Sequence, residues 1–495
     1  MKKSILIGGK AGQGANILLH LVADALVKRG FYVFYSRDYQ SLIRGGHNFD
    51  QLCFSNHPVS SNEQKADLIV ALDKETEKIH SSKLRKEGIL LKGTESNMFF
   101  AGRIFKILGF EFKKLDEQLK ELEKKYKENI IEAKKGYALE EGKIELKKTR
   151  GKNKFYSGSE AISLGAVKSG LDIYYAYPMT PATPVLGELA QRQKEDNILV
   201  LELENEIAVA NAGCGSAMTG AKVMVGTAGG GFDLMTETLS MTGIANIPLV
   251  FYLAQRPGPG TGVATYSSQG DLDIALYGGH GEFNRVVLAP GDPCEAEELT
   301  NQAFYFSQKF SMPSIVLSDK HLGESFYSLN RKPKLVKVKR NHSMKRYNSY
   351  EVDSEGSATE NVDLINKNIE KRLDAGDDIS REAKKFPQYK LYGKKNAKNC
   401  VLFWGSTKGA VLDATYDLDT CAIQILYLEP FPKEIERIIK KKNLILVESN
   451  SRGLLGELIR KKTGVKIKDK NKILKYDGRE FFCDELRNKI GRRMR

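Results

Sequence analysis

Asp172-Ile173-Tyr174-Tyr175-Ala176 runs directly into Tyr177-Pro178-Met179-Thr180-Pro181-Ala182-Thr183. The first five residues read as a buried strand. The two prolines that follow stop it, fixing φ and removing backbone donors on either side of Thr180. Comparable runs recur at Ile198–Glu202, Lys222–Gly226, Pro248–Ala254, Arg285–Ala289 and Ser314–Ser318, each separated from the next by a helical stretch. Strands alternating with helices predict a parallel α/β sheet, here of six strands. In such a sheet, ligands bind in the loops beyond the carboxyl ends of the strands.

Several of those loops carry chemistry. Thr180 and Thr183 hold two hydroxyls on the stiff proline turn, although such a turn can also do no more than end a strand. Glu206 opens the apolar helix Ile207-Ala208-Val209-Ala210-Asn211-Ala212-Gly213. A carboxylate there is favoured by the helix dipole, an innocent role, while the small residues behind it allow close approach of a helix or a flat ring. Arg256 precedes Pro257-Gly258-Pro259-Gly260-Thr261-Gly262, and Thr265 follows. A guanidinium among residues without bulk suits bidentate capture of a carboxylate. Thr227-Ala228-Gly229-Gly230-Gly231-Phe232 adds a third glycine-rich strand end. Each feature alone has a packing explanation, but their convergence is harder to explain that way.

Outward from this block the chain divides in four. Residues 1–145 open with the strand Ile5-Leu6-Ile7, the turn Gly8-Gly9-Lys10-Ala11-Gly12-Gln13-Gly14 and an amphipathic helix over Asn16–Arg29. Strands follow at Phe31–Tyr35, Leu68–Leu72 and Ile89–Leu91, which implies a parallel, doubly wound sheet. One long helix is expected over 113–135. The glycine turn suits either an anion or close helix–strand packing. It departs from Gly-x-Gly-x-x-Gly, and Phe34-Tyr35-Ser36-Arg37 brings no acid to the end of the second strand, which argues against NAD. Arg44-Gly45-Gly46-His47 reads equally as an anion contact or an ordinary turn, and His47 has no companion at metal-ligand spacing. Residues 155–330 form the central block. Residues 331–395 are polar and read as a linker with one helix near Val362–Leu373. Residues 396–495 form a third, small α/β domain with strands at Cys400–Trp404, Ile423–Leu428 and Asn443–Glu448.

Length and composition bound the function. A chain of 495 residues with 41% hydrophobic content needs about three cores. Net charge is +15, but the lysines lie in mixed runs such as Lys113–Lys127 and Lys332–Lys345, without a zinc-finger, RNP or bZIP pattern. Solvated faces are therefore expected rather than nucleic-acid binding. Six cysteines stand far apart without a Cys-x-x-Cys pair, against a self-contained iron–sulfur or zinc site and against a disulfide framework. The start lacks the apolar run of a signal peptide, and no stretch reaches the ~20 apolar residues of a membrane helix. A cytoplasmic protein is expected, with no membrane association and no metal ligands of its own.

Taken in order, these pieces resemble the fused γ–α subunit of the 2-oxoacid:ferredoxin oxidoreductases. The matches are Gly12-Gln13-Gly14 and Arg44-Gly45-Gly46; Tyr177–Thr183 against Tyr-Pro-Ile-Thr-Pro-Ser-Thr; Glu206-Ile207-Ala208; Gly229–Met235 with Glu237; and Gln255-Arg256 with Gly258-Pro259. Further along come Gly405-Ser406-Thr407-Lys408-Gly409 and Pro430-Phe431-Pro432. Departures fall in the pocket wall: Met179 and Ala182 stand for Ile and Ser, Gly260 for Ser and Ala264 for Pro. The resemblance implies three parallel-sheet α/β domains: a Rossmann-like γ domain, a pyrimidine-side thiamine diphosphate domain and a transketolase-C-like domain. It implies thiamine diphosphate shared with a β subunit that carries Mg2+ and a [4Fe-4S] cluster, with coenzyme A as co-substrate and ferredoxin as acceptor. Glu206 is then the catalytic residue that hydrogen-bonds the aminopyrimidine, with Thr180, Gly229 and Gly230 beside the cofactor. Thr180, Arg256 and Thr265 bind the 2-oxoacid, either 2-oxoglutarate or pyruvate. The alternative is a non-catalytic assembly subunit of a thiamine-dependent complex.

Overall fold

The computed structural model describes residues 2–40, 45–122, 125–144, 146, 152–341 and 349–494. Arg44, residues 123–124 of the first lysine-rich run and 342–345 of the second lie outside the described residues. Among the described residues three sheets are present, in two compact units.

The first unit comprises Met1–Tyr156, Ser325–Arg331 and Phe481–Leu486. Its seven strands lie in the order Leu84–Lys92, Ala66–Ala71, Lys2–Lys10, His47–Ser55, Tyr32–Asp38, Phe326–Leu329 and Lys154–Ser157. The first three are parallel, but His47–Ser55 runs antiparallel to both its neighbours. The sheet is thus mixed, where a purely parallel one is expected from the sequence. The strand that changes its character was hidden by its own polarity. Asp50 and Gln51 are buried within it, and Gln51 Nε2 donates to Ser4 Oγ at 3.2 Å and to the Glu63 carbonyl at 2.6 Å. The second strand also runs on to Asp38, so an acid does end it. Because His47–Ser55 separates it from Lys2–Lys10, a dinucleotide-type crossover between neighbours is absent here.

The expected helix over 113–135 is two helices, Phe112–Glu121 and Tyr126–Ala138, with Lys125 left-handed (φ 53°) before the second. The break lets Tyr126–Ala138 lie tightly across Asn97–Ile107. A Cβ on Gly136 would fall 1.9 Å from the Phe99 carbonyl, and one on Gly102 would fall 2.0 Å from that of Ala133.

In the second unit the six parallel strands appear as expected, in the order Val286–Leu288, Ser314–Asp319, Leu249–Gln255, Val223–Thr227, Ile173–Ala176 and Leu199–Glu202. A seventh, Tyr427–Glu429, adds antiparallel at the Val286–Leu288 edge. The four strands from Leu249–Gln255 to Leu199–Glu202 are neighbours, so the loops bearing Arg256, Gly229, Thr180 and Glu206 leave one end of one sheet.

The third sheet has five strands: Tyr389–Gly393, Thr420–Ile425, Asn399–Trp404, Asn443–Glu448 and Lys472–Leu474. Only Tyr389–Gly393 is antiparallel, and it comes from the stretch read as linker. The linker helix is also longer than expected, Val362–Ala383. Its C-terminal turn is held where Glu382 accepts from Tyr305 Oη at 2.7 Å and pairs with Lys309 at 2.8 Å. Lys408 of the Gly405–Gly409 motif is buried between Asp292 and Glu295. Lys390 and Gln424 complete the set around Glu295 at 2.8 and 2.6 Å. Among the described residues, no helix is long and apolar enough to cross a membrane.

Candidate active site

Ile173–Ala176 ends at Tyr177, and Met179 accepts from the backbone N–H of Ala182 at 2.8 Å and of Thr183 at 3.2 Å. This turn starts the helix Thr183–Asp196, with a proline in its first turn where no donor is needed. Thr180 is half-buried, and its carbonyl accepts from Arg256 Nη1 at 2.7 Å. The proline turn and the arginine loop, 76 residues apart, are therefore joined by a charge-assisted hydrogen bond.

Asn205 caps the next helix, Glu206–Met218, its Oδ1 accepting from Ala208 N at 2.9 Å. That cap sets Glu206 as the first helical residue and turns its side chain inward, to 4% exposure. Glu206 Oε1 is buried without a hydrogen-bond partner. An unsatisfied buried acceptor costs about 1–3 kcal/mol, so its persistence calls for a reason. The adjoining helix Gly229–Ala245 explains how it fits. A Cβ on Gly231 would lie 2.5 Å from Glu206 Oε1 and 2.1 Å from Thr227 Oγ1. Glycine is required there because the carboxylate occupies the space a side chain would take.

Gly229 and Gly230 play different parts. A Cβ on Gly229 would meet Asp271 Oδ2 at 2.6 Å, while one on Gly230 would find only the Gly260 carbonyl, at 3.8 Å. The exposed Gly230 backbone thus faces the arginine loop. That loop folds back on itself, Val263 N donating to the Pro257 carbonyl at 3.0 Å and Tyr266 N to the Val263 carbonyl at 3.1 Å. Gly262, at φ 53°, lies so close to Pro257 that a Cβ would fall 1.8 Å from its carbonyl oxygen. The fold-back buries Thr265, yet among the described residues no hydrogen bond joins Thr265 to Thr180, Glu206 or Arg256.

Arg256 is 9% exposed and its Nε has no partner. Desolvation lowers its pKa, opposed by the charges of Asp271 and Glu206. Asp271 is pushed up to about 6, chiefly by burial and then by Asp233, with Arg256 opposing. The structure thus gathers Thr180, Glu206, Gly229, Gly230 and Arg256, and adds Asp271, which sequence reasoning passed over. It lies in the Gln269-Gly270-Asp271 return of the arginine loop. Gln269 anchors that return: its N–H donates to the Ser449 carbonyl at 2.8 Å, and its Nε2 to that of Trp404 at 2.9 Å.

Comparison with known proteins places this arrangement. Residues 164–382 match the family model described as pyruvate flavodoxin/ferredoxin oxidoreductase, thiamine diphosphate-binding, and residues 4–131 match pyruvate ferredoxin/flavodoxin oxidoreductase. The 2-oxoacid:ferredoxin oxidoreductase subunit alpha of Saccharolobus solfataricus is 27% identical over 99% of this chain and 97% of its own length. That of a Sulfolobus species is 26% identical over 98% and 96%. The 2-oxoglutarate synthase subunit KorA of Archaeoglobus fulgidus is 39% identical, over 34% of this chain and 48% of its own. A solved 2-oxoglutarate:ferredoxin oxidoreductase from Magnetococcus marinus covers all of both chains with a TM-score of 0.89 at 22% identity, a likeness of fold. On these grounds the chain is a member of the 2-oxoacid:ferredoxin oxidoreductase family.

Proposed function

We propose that this chain is the γ–α-type subunit of an enzyme that oxidatively decarboxylates a 2-oxoacid, transferring the acyl group to coenzyme A and electrons to ferredoxin. The observation that carries the reading is the presence, at one end of one sheet, of an unsatisfied buried carboxylate and a buried guanidinium whose Nε is also unsatisfied. The residues fit thiamine diphosphate. Glu206 Oε1 needs a donor from outside the chain, and the glycines at 229–231 keep side-chain bulk away from it. Thr180, Gly229 and Gly230 lie around the same place. When bound, the cofactor supplies a nucleophilic carbon and an electron sink for decarboxylation.

Glu206 orients the aminopyrimidine by a hydrogen bond and holds a proton at Oε1 when one is released. Arg256 takes the 2-oxoacid carboxylate through the donors that Thr180 O leaves free, with Thr265 as a further contact from the same loop. Neutralising the substrate's charge there leaves its oxo carbon open to attack. The diphosphate, Mg2+ and a [4Fe-4S] cluster belong in this reading to a β subunit. Tyr177, Ile207, Leu234 and Val263 suit such a partner: all are exposed, and each stands near a site residue in sequence. In this reading 1–145 is the γ-type domain, 155–330 the pyrimidine-side domain, 331–395 a linker whose Tyr389–Gly393 strand joins the third sheet, and 396–495 the transketolase-C-like domain, in a cytoplasmic setting.

The test is Glu206→Gln in the assembled complex. The amide still hydrogen-bonds but cannot hold the proton, so kcat is expected to fall at least ~100-fold, the usual scale for a general acid–base group. Near-wild-type turnover would remove Glu206 from the chemistry.

A further inference from the structure

Asp271 is a half-buried carboxyl that the proposed reaction does not yet use. Its backbone N–H donates to Gln255 Oε1 at 3.0 Å, which ties it to the strand that ends at Arg256. Its Oδ2 presses on the first residue of the Gly229–Ala245 helix, is buried, and accepts no hydrogen bond. Arg256 is near enough for each group to feel the other's charge, yet its Nε is equally unpartnered. Among the described residues no ion pair joins the two.

Arg256 Nε and Asp271 Oδ2 are each buried without the partner that would offset the burial. A ligand atom seated between them restores both hydrogen bonds. That atom must accept from Arg256, and a ligand carboxylate can only accept. Its contact with Asp271 therefore requires the hydrogen to come from Asp271. The surroundings favour this. Burial and the exposed Asp233 of the Gly229–Ala245 helix hold the Asp271 carboxyl up at about 6, against the pull of Arg256. Glu206 faces Arg256 from the neighbouring helix, and Asp273, on Asp271's own element, points to solvent.

We propose that Asp271 binds the 2-oxoacid carboxylate as the protonated acid, opposite Arg256, so that substrate enters together with a proton. This rests on the reading of Arg256 as the carboxylate seat. One proton moves from solvent to Asp271 as the substrate anion binds, and no bond to carbon changes.

The experiment is the pH profile of kcat/KM for pyruvate and for 2-oxoglutarate in the cofactor-loaded complex, which reports groups of the free enzyme. The wild type is expected to lose roughly tenfold or more between pH 6 and pH 8, the consequence of losing a required proton from a group that titrates near the lower limit. In Asp271→Asn the amide donates without titrating, so that ratio shrinks to under about twofold. An Asn variant with the wild-type pH slope, or a wild type with no slope, overturns the proposal. Should the variant not fold, proton uptake by the wild-type complex on adding pyruvate at pH 7, measured by calorimetry in buffers of different ionisation enthalpy, decides it. Zero uptake refutes the proposal. Absence of turnover with both 2-oxoacids at every pH overturns the functional reading as well, whereas turnover with an unaltered Asn profile removes Asp271 alone.

Discussion

At Gly231 the usual rule for helices reverses. Gly to Ala inside a helix ordinarily stabilises by about 1 kcal/mol. Here the added methyl would meet Thr227 Oγ1 and Glu206 Oε1 well inside contact distance. Gly231→Ala is therefore expected to displace Glu206 and lower kcat at least ~tenfold while circular dichroism stays that of the wild type; unchanged kcat would show that Glu206's position is not what matters. Arg256→Lys keeps the charge but loses the planar fork. Because a hydrogen bond to a charged group is worth about 2 kcal/mol, KM for the 2-oxoacid should rise by roughly 30-fold, with a smaller change in kcat. A KM within about twofold of the wild type would take Arg256 out of the carboxylate seat. Glu206 and Arg256 could be singled out from the sequence because each follows a strand and sits beside small residues. Asp271 could not, since what distinguishes it is contact with Gly229, 42 residues earlier, and the failure to pair with Arg256. Neither has a local sequence signature.

Among the elements, the arginine loop is held from outside its own sheet. Gln269 bonds to Ser449 and Trp404, at the ends of two strands of the third sheet. Gln269→Ala removes the two side-chain bonds, to the Trp404 carbonyl and from Ser449 N, and keeps the backbone one, without touching the site, so KM should rise while the unfolding temperature moves little. A variant with wild-type KM would mean the loop is rigid by itself. The buried Lys408 set is the opposite case: Lys408→Ala leaves Asp292 and Glu295 without their shared cation, a loss of about 3–5 kcal/mol seen in denaturant unfolding. Wild-type unfolding would show that Lys390 suffices for Glu295. The central sheet was legible because six similar apolar strands alternate with helices, a pattern periodicity reports well. The first sheet was not, because strand direction and neighbour order leave no trace in periodicity, and His47–Ser55 buries Asp50 and Gln51 by pairing them. The break at Lys125 was equally invisible, since the charged pattern continues across it and the close crossing at Gly102 and Gly136 that it permits is a tertiary contact.

For the molecule as a whole, the proposed chemistry calls for a second polypeptide. Large apolar side chains scattered singly on a surface need no explanation, but Tyr177, Ile207, Leu234 and Val263 each follow or flank a site residue from a different loop or helix of one unit. Four exposed apolar groups beside the loops at one end of one sheet suit burial against the second polypeptide of the proposed complex. Ile207 is the most telling, because it immediately follows Glu206 and is 49% exposed while Glu206 is 4% exposed. Ile207→Asp would place a charge in that contact without touching the core. The isolated subunit should therefore keep its unfolding temperature, yet fail to co-purify with the β subunit and lose 2-oxoacid-dependent ferredoxin reduction together. Retained co-purification with lost turnover would move Ile207 from the partner contact to the chemistry of its neighbour. Retention of both would place the partner on another face of the molecule.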